Sequence, residues 1–136
     1  MAVPLRRAAV TAAVVVLAAL SLASCGLGVQ PTVATFEIDG GEHYKIELAT
    51  PELIEHAKRL LAGESLAAVP NGVVVHGDSG VNAPWSWHIA PESLEFSNLT
   101  TEECDGTPQH VEDDIVTSDS FCPWSARVIA VEGPDS

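Results

Sequence analysis

An α+β fold, a mostly antiparallel sheet packed against one main helix with a short second helix and one disulfide, is what this sequence predicts. Three observations carry that expectation. Stretches alternating apolar and polar residues, the period of a half-buried strand, outnumber helical stretches and do not alternate with them regularly. One segment, residues 51–61, has a single apolar stripe at helical spacing. Two cysteines, Cys104 and Cys122, stand close enough in the chain to close a short loop.

Residues 1–7 carry Arg6 and Arg7, and residues 8–20 form an uncharged apolar run. Together these are the basic and hydrophobic regions of an export signal. The run is shorter than the roughly 20 apolar residues of a spanning helix. Leu22-Ala23-Ser24-Cys25 follows and resembles the lipobox of bacterial lipoproteins, in which the cysteine receives diacylglycerol and becomes the first mature residue. The resemblance implies a signal peptide over 1–24 and a lipid on Cys25 holding the chain at the outer face of the cytoplasmic membrane. An ordinary secretory signal cut nearby, giving a secreted chain, is the alternative. Residues 25–32, with Gly26 and Gly28, read as a flexible tether to a single globular domain over 33–133.

That domain opens with two strands. Ala34, Phe36 and Ile38 share one face, as do Tyr44, Ile46 and Leu48, and Asp39-Gly40-Gly41-Glu42 between them suits a tight hairpin. Thr50-Pro51-Glu52 supplies a hydroxyl cap, a first-turn proline and a first-turn acid. The helix stripe is Leu53, Ile54, Ala57, Leu60 and Leu61, ending at Gly63. Pro70-Asn71-Gly72 reads as a turn, Val73-Val74-Val75-His76 as a strand too apolar to be exposed on both faces, and residues 77–80 as a break. Trp85, Trp87 and Ile89 alternate with Ser86 and His88 between bracketing prolines, predicting another strand. Leu94 and Phe96 continue the alternation. Thr107-Pro108 is expected to cap the short second helix, with Val111 and Ile115 on one side, and residues 126–132 to form the last strand.

Three cysteines in an exported chain leave one unpaired. Lipid on Cys25 resolves the count and leaves Cys104 and Cys122 to pair where disulfides persist; two buried free thiols are the alternative. Cys104, His110 and Cys122 have no recognised zinc-ligand spacing, and no metal or other cofactor is expected. All nineteen acidic residues follow the leader, against only Lys45, Lys58, Arg59 and Arg127, a balance of about −15. Nucleic acid is thereby excluded as a partner, since binding it depends on neutralising phosphates with basic side chains. The lipid on Cys25 is the expected link to the membrane, and a protein or peptide the expected ligand.

The tripeptide Pro-Trp-Ser occurs twice, at 84–86 and 123–125. Tryptophans at alternate strand positions mostly pack a core, whereas one beside a cleft offers an amphipathic ring to a sugar face or a peptide. Trp85, Trp87, His88 and Trp124 are therefore the candidate ligand-binding residues. A small envelope hydrolase or metal-dependent enzyme using His76, Asp78 and His88, with Ser86 as a nucleophile, is the competing reading. Glu102-Glu103-Cys104-Asp105 and Glu112-Asp113-Asp114, drawn together by a disulfide, are a further candidate for calcium, although their spacing does not match an EF-hand loop. Asn98-Leu99-Thr100 has the pattern of a glycosylation acceptor.

Taken in order, Pro84-Trp85-Ser86-Trp87-His88, Pro91-Glu92-Ser93-Leu94-Glu95-Phe96, Glu103-Cys104-Asp105-Gly106, Val111-Glu112-Asp113-Asp114 and Cys122-Pro123-Trp124-Ser125 resemble a small secreted module best known from the amino terminus of a slime-mould glycoprotein precursor. The resemblance spans residues 33–132. It implies a self-contained domain and carries no activity, ligand or catalytic residue with it.

Overall fold

The structure, a computed structural model, describes residues 28–136; the export signal and Cys25 lie outside the described residues. Seven strands and two α-helices are present among them, and every strand pairing is antiparallel. No helix of the described residues is long and apolar enough to cross a membrane.

The first sheet is three-stranded, in the order β2 (His43–Glu47), β1 (Val33–Glu37), β7 (Arg127–Glu132). The β1–β2 hairpin turns through Gly40 and Gly41, both at positive φ (98° and 87°), a conformation that glycine adopts without a side-chain clash. β7 carries a bulge: Thr35 faces Ala130 while Phe36 faces Val128, leaving Ile129 unopposed. The extra residue changes the spacing of inward side chains from two to three, so Val128 and Val131 both lie on the side of Ala34 and Phe36.

The predicted single sheet is in fact divided. A second set is built on β3 (Val69–His76), which pairs with β5 (Glu95–Ser97) through residues 69–71, with β6 (Ser120–Phe121) through 72–73, and with β4 (Trp87–Ile89) through 74–76. Pro70-Asn71-Gly72, expected as a turn, runs straight through β3. Its glycine serves close approach: a Cβ on Gly72 would collide with Cγ2 of Ile89.

Helix α1 (Pro51–Leu61) begins as the sequence indicates, with Thr50 Oγ1 accepting from the Leu53 N–H at 3.3 Å. Ala57 is fully buried, and Leu53 and Ile54 pack against the core. Leu61, placed in the apolar stripe, is instead exposed at the helix end. His56 on the same helix stacks on Phe96 with ring centroids 4.5 Å apart, and its Nε2 bonds the Ala67 carbonyl at 2.7 Å. Helix α2 (Pro108–Glu112) ends before Ile115, which is exposed, and its buried residues are Pro108 and Val111.

The two sheets meet through aromatic side chains. Tyr44 from the first packs on Trp87 (6.1 Å between ring centroids) and on Phe121 (5.3 Å), and Phe36 packs on Phe96 at 6.2 Å. Such pairs contribute about 0.5–1.5 kcal/mol each beyond the area they bury. Asn82, 1 % exposed, joins the layers where no strand does. Its Oδ1 accepts from the Lys45 N–H at 2.7 Å and its Nδ2 donates to the Trp87 carbonyl at 3.0 Å. Burial of the Tyr44 phenol among these rings pushes its pKa well above the ordinary value.

Candidate functional site

The two Pro-Trp-Ser segments have opposite fates. In the first, Trp85 lies outside β4, whereas the alternation predicts it within a strand, because its side chain is held from another element. Its Nε1–H donates to the His43 carbonyl at 2.8 Å and its ring packs on Trp87. Ser86 is latched by α2: its N–H and Oγ–H donate to the two carboxylate oxygens of Glu112 at 3.0 and 2.8 Å. These donors, helped by the nearby His76, keep the Glu112 carboxyl below the usual carboxylate range. Trp87 is fully enclosed. Trp85 and the adjoining Trp87 therefore brace the core.

The competing catalytic residues are placed close in the chain but bonded elsewhere. His88 Nδ1 meets the main-chain carbonyl of Asp78, and the Asp78 carboxylate accepts from the Gly80 N–H at 2.9 Å. Among the described residues no carboxylate is hydrogen-bonded to the imidazole. Ser86, the nucleophile of that scheme, gives its hydroxyl proton to Glu112 and to no histidine. His110 joins Thr107 in the capping box of α2, and His43 bonds Glu37 at 2.7 Å. The His43 bond and Arg127 beside it hold the Glu37 carboxyl below its usual range.

Three carboxylates of the acidic runs are engaged separately. Asp105 accepts from the Trp124 N–H at 2.9 Å, Glu112 holds Ser86, and Asp113 accepts from Gln109 Nε2 at 3.0 Å. Among the described residues no group of three or more His, Cys, Asp or Glu side chains is arranged to hold a metal ion.

The second Pro-Trp-Ser segment lies on the surface. Cys104 and Cys122 form the disulfide, both buried, and the Cys122 N–H donates to the Cys104 carbonyl at 2.7 Å. Pro123 continues the buried stretch, after which Trp124 emerges with 47 % of its surface exposed. Three attachments fix its backbone: the disulfide two residues before, the Asp105 carboxylate on its N–H, and Ser125, whose Oγ accepts from the Asp39 N–H at 3.0 Å. A rigid loop thus presents a wet indole.

That indole forms one wall of a cleft of about 210 Å³ lined by Val69, Asn98, Leu99, Thr100 and Trp124. The volume is below the roughly 300 Å³ at which drug-sized sites begin, leaving room for one or two side chains. Leu99, 89 % exposed, is the second apolar wall. It escapes sequence reasoning because nothing periodic marks it; its place within the glycosylation-type tripeptide is the one signal that the segment is on the surface. A larger hollow along α1, about 370 Å³, is bordered by Pro51, Glu52, Glu55, His56 and Arg59, with no tryptophan or leucine in its wall. Of the four candidate ligand-binding residues, the structure brings Trp124 to a cleft and places Trp87 in the core. Trp85 and His88 are tied to neighbouring backbone.

A family model described as the BP-74 N-terminal domain matches residues 30–134. No curated protein and no solved structure matches the chain.

Proposed function

The chain belongs to the BP-74 N-terminal domain family, and from a self-contained domain of that kind we propose an exported, lipid-anchored binding module. It is non-catalytic and recognises a protein or peptide with the cleft at Trp124. The observation that carries this reading is the half-exposed indole facing Leu99 on a loop fixed by the disulfide. Large exposed apolar groups held rigid cost little entropy when a partner arrives, and tryptophan is enriched among residues that dominate binding.

The anchor and the cleft fit one geometry. The lipobox-like sequence supports a lipid on Cys25, and the short tether over 25–32 then leads directly into β1. From Val33 to Asp39 the chain runs about 20 Å at roughly 3.3 Å per residue. Asp39 is where Ser125, the neighbour of Trp124, is bonded. A chain held at its first mature residue would thus have the length of β1 between its tether and the Trp124 loop.

A photo-crosslinking residue at position 99, in the full chain expressed with its leader, tests this reading. Ultraviolet-dependent adducts should form in the membrane fraction, disappear when Trp124→Ala is added, and move to the medium with Cys25→Ser. The same crosslinker at Val75, on the outer face of β3, should give none. Adducts indifferent to Trp124, or no adducts from position 99, would refute the binding role; retention of Cys25→Ser in the membrane would refute the lipid anchor.

A further inference from the structure

The walls of the Trp124 cleft carry no basic residue, and neither do positions 98–107 or 119–126 around it. Its rim is acidic. One residue beyond Thr100, which lines the cleft, Thr101 leads into a 3-10 turn over Glu102–Cys104 that displays Glu102 and Glu103 to solvent. Asp105 follows, with one carboxylate oxygen on the Trp124 N–H. Two of the four basic residues outside the leader are already paired, Arg59 with Glu64 and Arg127 with Glu37. The net charge of the whole chain is −13.

An indole face carries negative electrostatic potential, and here it stands in a field of the same sign. Leu99 and Val69 add an apolar surface beside it. We infer that the occupant of the cleft is a basic segment of a peptide or protein. A lysine or arginine side chain lies over the Trp124 ring with its charge answered by Glu102 and Glu103, and an adjoining apolar side chain packs on Leu99. This inference rests on the binding role proposed above and names its partner's chemistry. The same field repels phosphorylated peptides, nucleic acid and anionic headgroups.

The test uses the full isotope-labelled chain in detergent, titrated with four probes: a capped hexapeptide alternating lysine and leucine, the same peptide with acetylated lysines, a glutamate version, and a neutral glucose oligosaccharide. The lysine peptide should shift the Trp124 indole resonance, leave that of Trp87 in place, and weaken as salt rises. Its affinity should fall about tenfold with Trp124→Ala and several-fold with the double substitution Glu102→Gln and Glu103→Gln, on the order expected for losing a cation–π contact and its counter-charges. Acetylation should weaken it by at least as much as loss of the indole. Equal binding of the acetylated peptide, or preference for the oligosaccharide, through Trp124 would overturn the basic partner and leave the binding role standing. Lysine-peptide binding unaffected by Trp124→Ala would reduce the attraction to diffuse charge and overturn the inference. If no probe moves the Trp124 resonance at millimolar concentration, both readings fail.

Discussion

Trp87→Ala lowers the stability of the domain by about 3–5 kcal/mol, the range for truncating a buried large aromatic side chain. That is a large part of the roughly 5–15 kcal/mol that holds a typical domain together. Trp87 is 0 % exposed and is surrounded by Tyr44, Phe121 and Trp85 at centroid distances of 6.1, 5.5 and 6.4 Å. Removing the indole therefore leaves a cavity between the two sheets that neither backbone can close, because Asn82 and the β3–β4 pairing hold both sides. At roughly 4–8 °C per kcal/mol for a domain of this size, the melting temperature followed by far-ultraviolet circular dichroism should fall by about 12–40 °C. Trp124→Ala, by contrast, should stay within about 0.5 kcal/mol of the parent, as exposed substitutions do. Similar losses from both substitutions would mean that Trp124 is as structural as Trp87.

Replacing Cys104 and Cys122 together with serine should cost roughly 3 kcal/mol, the chain-entropy value for a loop of this length, the two positions being 18 apart in sequence. The disulfide ties down Cys104, the last residue of the turn bearing Glu102 and Glu103, and the loop it closes begins with Asp105, whose carboxylate holds the Trp124 backbone. The double variant should thus melt earlier and also bind more weakly than the parent at temperatures where both remain folded. Urea unfolding checks the first effect and titration of the folded variant the second. Unchanged stability would show that packing alone orders the loop. Unchanged affinity in a destabilised variant would show that the cleft needs no covalent support.

Much of this architecture is legible in the sequence wherever one local rule acts without competition. The 39–42 hairpin, the Thr50 cap and Pro51, and the pairing of Cys104 with Cys122 all follow from backbone freedom, capping chemistry and cysteine count. Tertiary contacts decide the rest. Pro70-Asn71-Gly72 has turn composition, yet it is a strand because the side chain of Ile89 occupies the space that a Cβ at position 72 would need. Trp85 obeys the period of two and still leaves the strand, since His43 captures its indole and Glu112 captures Ser86. β6 has only two residues and so no period to detect, although its Phe121 is among the most buried side chains. The bulge in β7 likewise hides Val128 and Val131 from any alternation test. For the site, sequence reasoning reached Trp124 through its repeat and its nearness to Cys122. It missed Leu99 because an isolated exposed leucine looks the same whether or not an indole stands across from it.

Trp85 and its neighbour Trp87 brace the core while Trp124 offers its ring to solvent and ligand, and indole hydrogen exchange in the unaltered protein, followed by nuclear magnetic resonance, tests that division most directly. Trp124 Nε1–H should exchange within the dead time, Trp85, bonded to the His43 carbonyl, more slowly, and Trp87 only when the domain opens. Protection of Trp124 comparable to that of Trp87, or free exchange at Trp87, would contradict the account.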